Sequence, residues 1–425
     1  MIYGLTSKEL TSKGAGCRRV QASRFLRRYI RKRNQSRWIL FRLMTWPEQC
    51  SYQQQALRLK GRNPMKKTLA LVLTLCLLMM TAAFSVAETA AEEQLTDVSS
   101  AVISIATAED LAAINSNLSG SYVLTADIDL GGAEWTPIGS FVQLGSEGEE
   151  AETPDPAYAF TGTFDGQGHT ISNFVITRPE GWAVGLFGVI SNTQIGNFNI
   201  MNAKVTGTTM VSSVVGYSHC SMIYNVNAEN VTVIGNATEI SEEGMYGGIV
   251  GAGMAGMIKG CSARADIIVP DNSGNGGIIG GGLEMTDVID CTASGSVIAG
   301  NDCYGIGGIS GCGFSSNEFT GNTAENVKLA VGDNCFWIGG ITGYSGGFED
   351  ESLGLPVTAF SGCKVVNTEI SAGENADGIG VIVGAGFFRE GLAEEYGIED
   401  YANPTVFTLS DCEAANVTLN GTEMK

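Results

Sequence analysis

The chain has 425 residues, 57 of them glycine, with 45 acidic against 25 basic side chains. Basic charge is confined to the front: residues 1–67 hold 17 of the 25 Lys and Arg, so from Glu88 onward 8 basic residues face 43 acidic ones. A surface that acidic repels nucleic acid and anionic lipid and tolerates cationic partners or divalent metal, while glycines in register with apolar β-formers exclude a disordered linker.

Residues 1–64 are Arg-rich and patternless. They read as an upstream extension outside the native protein, as a disordered basic leader, or as a cytoplasmic tail if the next segment is retained. Met65-Lys66-Lys67 opens a second start, followed by an apolar run from Leu69 to Phe84 and the small-residue exit Ser85-Val86-Ala87. That is the pattern of a secretory signal peptide over 65–87, with an uncleaved anchor as the alternative. Cleavage after Ala87 predicts a secreted or cell-surface protein with no membrane segment of its own. Residues 88–102 form an acidic linker, and 103–425 read as one repeat domain.

Thr107-Ala108-Glu109-Asp110 predicts a helix start, with Thr107 as N-cap and Asp110 at the third helical position. This short helix is the expected cap of the domain, because the first coil of a solenoid exposes unpaired backbone. Tyr122-Val123-Leu124 and Asp127-Ile128-Asp129-Leu130 alternate as strands do. Residues 145–156 form an acidic insertion. Phe160 to Ile171 reads as strand, tight turn at Asp165-Gly166, strand.

From there a five-residue phrase returns: Gly247-Gly248-Ile249-Val250-Gly251, Gly276-Gly277-Ile278-Ile279-Gly280, Gly307-Gly308-Ile309-Ser310-Gly311 and Gly339-Gly340-Ile341-Thr342-Gly343. With degenerate copies closing at Gly188, Gly216 and Gly384, the closing glycines are 28, 35, 29, 31, 32 and 41 residues apart. A second landmark is a residue that tolerates left-handed backbone: Asn197, Asn225, Gly260, Asp290, Gly321, Gly362 and Asp411. Three residues after each of these comes Ile200, Ala228, Ala263, Ala293, Ala324, Val365 or Ala414. Each unit of about thirty residues is thus strand, sharp turn, strand, turn and a glycine-edged strand. One unit cannot bury its apolar face alone, but stacked copies can. The predicted fold is all-β, a right-handed parallel β-helix with a short N-terminal capping helix. The last unit stops before its glycine phrase, which predicts an uncapped C-terminal rung, from either a truncated gene or a surface that pairs with something else.

The combination of Thr107-Ala108-Glu109-Asp110-Leu111, Ala126-Asp127-Ile128-Asp129-Leu130, Phe164-Asp165-Gly166-Gln167-Gly168-His169-Thr170-Ile171 and Gly185-Leu186-Phe187-Gly188 resembles the bacterial GLUG-motif repeat proteins. The resemblance spans nearly all of 103–425. It implies a secreted, adhesin-like β-helical module, found in some relatives beside a metallopeptidase, and it implies no reaction.

Gly251-Ala252-Gly253-Met254-Ala255-Gly256 matches a dinucleotide fingerprint, with Asp271 twenty residues on. Equivalent stretches in neighbouring units carry the same glycines, which assigns them to the repeat. Eight cysteines follow the leader. Cys261, Cys291, Cys363 and Cys412 hold one repeat position, interrupted by Asn322, and Cys303 and Cys335 hold another. Stacked thiols with parallel Cβ vectors fit disulfide geometry poorly, so reduced buried ladders are expected. No Cys-x-x-Cys or His-Glu-x-x-His occurs, which argues against a zinc site or a zinc peptidase.

A β-helical polysaccharide lyase or glycoside hydrolase is the enzymatic alternative. Its bases are hard to find: eight scattered cations share no repeat position. Asp127, Asp129 and Asp165 are the available carboxylates, yet a solvated face or a weakly held calcium ion explains the first two as well. No cofactor is expected. His169 sits in the turn segment, and His219 adjoins Cys220, a weak nucleophile signal. The insertions at 346–356 and 387–404 are the candidate ligand-contact loops, with Phe348, Phe388, Tyr396 and Tyr401 as contacts for a glycan or a host or cell-surface protein. A non-catalytic adhesion or binding module is the leading reading, and a structural spacer is the second alternative.

Overall fold

The computed structural model describes residues 102–141, 155, 157–237, 244–314, 317–346, 358–387 and 407–424. The leader, its upstream extension, nearly all of the linker and of the acidic insertion, and Phe348, Phe388, Tyr396 and Tyr401 lie outside the described residues.

The described chain is a parallel β-helix. One coil, Met257 to Thr286, shows the plan. Strands Met257–Lys259, Ser262–Val269, Gly274–Gly277 and Gly280–Glu284 follow one another around the coil. None pairs with its neighbour in sequence; each pairs in parallel with its own copy in the coils above and below. Four ladders result, and the fourth is a separate seven-stranded sheet. In the second ladder Ala263, Ala265, Ile267 and Val269 point into the core while Arg264, Asp266 and Ile268 face solvent. The period-2 alternation of an extended strand produces that division, one face toward a shared interior and one toward water.

Three ladders per coil were expected and four are found. The extra one is hidden in the glycine phrase, which is not a strand. Gly247 ends one strand, Gly248 and Ile249 form a corner, and Val250 begins the next strand. The pairing also shifts the copy at 276–280 by one residue: Gly247 aligns with Gly277 and Val250 with Gly280, so Gly281 rather than Gly280 is the closing glycine. The run Gly280-Gly281-Gly282 makes that register ambiguous by sequence. Space explains the closing glycine. A Cβ on Gly311 would lie 2.6 Å from Gly276 N, and one on Gly384 would lie 2.5 Å from Ile338 N. At that point the third and fourth ladders touch backbone to backbone.

The left-handed corners stand where the sequence places them. Asn197, Asn225, Gly260, Asp290, Gly321, Gly362 and Asp411 have φ between 50° and 68°. The alanine column is equally in register, with Ala228, Ala263, Ala293 and Ala324 paired in succession. Asparagines at a further left-handed position stack their carboxamides: Asn202 donates to Asn173 at 2.8 Å and Asn230 to Asn202 at 2.7 Å.

The helix Ala108–Ala113 has the predicted capping box, with Thr107 Oγ1 accepting from Asp110 N and the Asp110 carboxylate accepting from Thr107 N. Leu111 and Ile114 are buried in the main core, so the helix closes the first coil. The segment around Asp165-Gly166 is a corner rather than a hairpin: Thr163–Asp165 pairs with Ser121–Val123 and Gln194–Gly196, not with the strand after the turn. At the other end the expected open rung is corrected for one ladder. Asn420 and Gly421, both at positive φ, turn the chain so that Thr422–Glu423 pairs antiparallel with Thr418–Leu419.

No described cysteine forms a disulfide, and six of the eight are buried. Each ladder thiol donates to a carbonyl one coil earlier, as Cys291 does to Ile258 O (3.7 Å) and Cys363 to Phe319 O (3.3 Å). Burial pushes the Cys363 thiol up to about 11, which keeps it protonated and unreactive at neutral pH.

Candidate functional site

Among the described residues three places bring chemistry-bearing side chains together. The first is an open cleft of ≈ 430 Å³ lined by Asp165, Gln167, Asn197, Phe198, Asn199 and Asn225. Its polar groups are largely spent on one another. Asn225 Nδ2 donates to Asn197 Oδ1 (3.0 Å), Asn197 Nδ2 to Asp165 Oδ1 (3.1 Å), and Asn199 Nδ2 to Gly168 O (2.9 Å). Beside it, His169 Nδ1 lies 3.1 Å from Asp127 Oδ1, so this histidine does have an acidic partner. Asp127 also accepts from Thr170 N, and that bond followed by His169 holds its carboxyl below the usual range. Asp129 is lowered too, by Asn173 Nδ2 and Gly131 N. A hydrolase acid needs the opposite shift. Asp127 and Asp129 therefore tie one coil to the next.

The second place is His219, buried at 8 % exposure. Its Nδ1 lies 3.3 Å from Ser191 Oγ and its Nε2 lies 3.8 Å from Cys220 Sγ. Burial lowers its pKa, leaving a neutral imidazole, and Tyr217 stacks over it at 6.4 Å. Tyr217 belongs to a second apolar cluster with Phe141, Val189, Met210 and Ala252, packed outside the main core. His219 reads as a packed, hydrogen-bonded wall of that cluster.

The third place was not visible in the linear sequence. Tyr304 and Phe336 are register partners in the third ladder and stack at 5.8 Å with 17° between their planes. Trp337 meets Phe336 at 4.6 Å, Tyr304 at 6.3 Å and Tyr344 of the fourth ladder at 5.0 Å. Phe336, Trp337 and Tyr344 are partly exposed. Four aromatic rings thus share one outer face of two adjacent coils.

The backbone under this cluster is unusual. Asn275, Gly305, Trp337 and Gly378 occupy one position of the third ladder, each flanked by paired residues. All four have positive φ, from 55° to 67°. Glycine and asparagine adopt that conformation readily; a tryptophan there is strained, and such strain collects at functional sites. The sequence signal was available: Trp337 stands where its siblings are Gly305 and Gly378.

The predicted loops follow in sequence from the strand that carries Tyr344 and from its neighbour. The strand carrying Tyr344 ends at Gly346 and its neighbour ends at Phe387, and these two residues are register partners. Residues 347–357 and 388–406, which hold Phe348, Phe388, Tyr396 and Tyr401, continue from those two strand ends beyond the described residues.

The formal dinucleotide motif does not form a nucleotide site. Val250–Met254 is a strand, Ala255 turns at φ 54°, and Met257–Lys259 is a strand, so no helix offers its N-terminus to a phosphate. Among the described residues no cluster of three or more His, Cys, Asp or Glu could hold a metal ion. Among them, too, no helix is long and apolar enough to cross a membrane.

No family model matches the chain. It is 36% identical over 149 residues to "Halomucin" of Haloquadratum walsbyi, across 33% of this chain and 2% of that protein. It is 33% identical over 110 residues to a "Putative Gly-rich membrane protein" of Evansella cellulosilytica, across 25% of this chain and 11% of that one. The chain therefore spans only a small part of these relatives. Among solved structures it is similar to one titled a "putative immunoglobulin A1 protease" from Bacteroides ovatus, at 16% identity and a TM-score of 0.41, covering 78% of this chain and 80% of that one, a likeness too distant to bear on function.

Proposed function

We propose that this chain is a secreted or surface-exposed, non-catalytic β-helical module of the GLUG-motif kind, which binds a glycan or a cell-surface protein through the aromatic face of its C-terminal coils. One observation carries the reading: Trp337 is held at φ 65° in a ladder position otherwise given to Gly and Asn, within a partly exposed four-ring cluster. The core does not need a strained tryptophan there, and aromatic rings on a rigid scaffold suit recognition. The names of the two relatives, one a mucin and one a membrane protein, accord with a surface setting. The lowered carboxyls of Asp127 and Asp129 weigh against hydrolysis at the N-terminal cleft.

Incubating the exported protein with a polysaccharide panel and a glycan and host-protein array tests this. Saturable capture with no release of reducing ends and no unsaturated product is expected. Multiple turnover on any substrate would replace the binding module with an enzyme.

A further inference from the structure

The packed imidazole of His219 keeps one nitrogen turned toward sulfur. Its Nε2 lies 3.8 Å from Sγ of Cys220, the residue that follows the end of the strand Val215–His219. Met254 is the register partner of His219 in the next coil, so period-2 alternation puts both side chains on the same outer face. Two bonds hold Met254 there. Cys220 N donates to Met254 O at 2.8 Å, and Tyr217 Oη donates to Met254 Sδ at 3.6 Å. The Tyr217 ring in turn stacks on the His219 ring. An imidazole nitrogen, a thiol and a thioether thus lie side by side at one corner of two coils.

The spacing suits a metal ion. With bonds of about 2.0 Å to imidazole and about 2.3 Å to thiolate, an N···S span of 3.8 Å encloses an angle of about 125°, close to trigonal. The donor types select the ion. Thiolate and thioether sulfur favour Cu(I), whereas calcium and magnesium require oxygen. Among the described residues no third His, Cys, Asp or Glu joins His219 and Cys220, so the third donor is the Met254 thioether. Burial keeps His219 neutral and able to coordinate. Ser191 Oγ, 3.3 Å from Nδ1, accepts from the tautomer that leaves the Nε2 lone pair for a ligand. Cys220 and Met254 are half-buried, so an ion reaches them from solvent.

We propose that His219 Nε2, Cys220 Sγ and Met254 Sδ form a three-coordinate site for Cu(I). Binding exchanges the Cys220 thiol proton for the ion and releases that proton to solvent. The resulting copper–thiolate unit carries no net charge, which suits the apolar surroundings of Tyr217, Met210 and Ala252. The site stands on earlier coils than the aromatic cluster and does not depend on that face binding anything.

The repeat supplies a variant that removes the thiol without disturbing the corner. Asn192 occupies the same left-handed position one coil earlier, at φ 51° against 45° for Cys220, so Cys220→Asn should melt with the parent when no metal is present. The full chain is titrated with Cu(I) under ascorbate in competition with bicinchoninate. The parent should hold one equivalent more than Cys220→Asn, and Cu(I) should raise the melting temperature of the parent but not that of the variant. Met254→Leu keeps the apolar volume, yet it should weaken that equivalent about tenfold or more, since even outer-shell partners of a metal are worth as much. Cys412→Ser, at the other half-buried thiol, should change nothing. Equal copper in the parent and Cys220→Asn would overturn the proposal. So would an affinity unchanged by Met254→Leu, which would leave a thiol acting without the thioether, or displacement of the copper by an equal concentration of Zn(II).

Discussion

Replacing Gly311 with alanine is expected to destabilise the solenoid by about 3 kcal/mol or more, a value at the severe end for a single methyl. The added Cβ would fall on the main chain of Asn275, and 2.6 Å from Gly276 N. Main chain locked in two ladders has no rotamer through which to yield, so relief requires parting the third and fourth ladders. Gly281, Gly343 and Gly384 meet the same obstacle at Tyr246, Ile306 and Ile338. Gly253 is the matched control. There a Cβ would meet only the ends of the Leu283 and Thr286 side chains, at 3.1 Å, which can move. Gly253→Ala should cost less than about 1 kcal/mol. Chemical denaturation of the two variants checks the pair; equal stability would mean that the closing glycine is not a packing requirement.

The second large effect lies at the break in the cysteine ladder. Asn322 is fully buried, accepts from Cys291 N at 2.9 Å and donates to Val288 O at 2.7 Å. Asn322→Ala would strand a buried N–H and a buried C=O, at a cost of about 2–5 kcal/mol. Asn322→Cys is expected to recover most of that. A thiol at this position can donate to Val288 O as Cys291 does to Ile258 O, and its sulfur can accept as Cys335 Sγ accepts from Cys303 N. Denaturant midpoints of the two variants measured under reducing conditions give the comparison. A cysteine variant no better than the alanine one would contradict the equivalence of the two residues in the ladder.

Much of the scaffold was legible because its rules are local. A left-handed corner needs Asn, Asp or Gly, and those residues recur at one period. A capping box is four residues long, and Thr107 and Asp110 form it. What escaped was either degenerate or non-local. Gly247-Gly248-Ile249 hides a corner because glycine fits a strand edge and a bend alike, and the run Gly280-Gly281-Gly282 leaves its register open until neighbouring coils are paired. The fold-back at Asn420-Gly421 was a missed local signal, since that dipeptide is the strongest short hairpin cue. The aromatic face depends on stacking: Tyr304 and Phe336 are thirty-two residues apart in sequence, yet their ring centroids are 5.8 Å apart. The pairing of His169 with Asp127 is likewise non-local, because Asp127 belongs to the preceding coil. The loop aromatics Phe348, Phe388, Tyr396 and Tyr401 flank in sequence the two strands that end beside this face.

The claim that binding, rather than folding, keeps Trp337 in a left-handed position is tested most directly by Trp337→Gly, measured for melting and for array capture on the same preparation. Relief of about 1–2 kcal/mol of backbone strain should offset the lost ring contacts, so stability should stay within about 1 kcal/mol of the parent while capture disappears. A variant that melts far below the parent yet captures the same ligands would contradict the account.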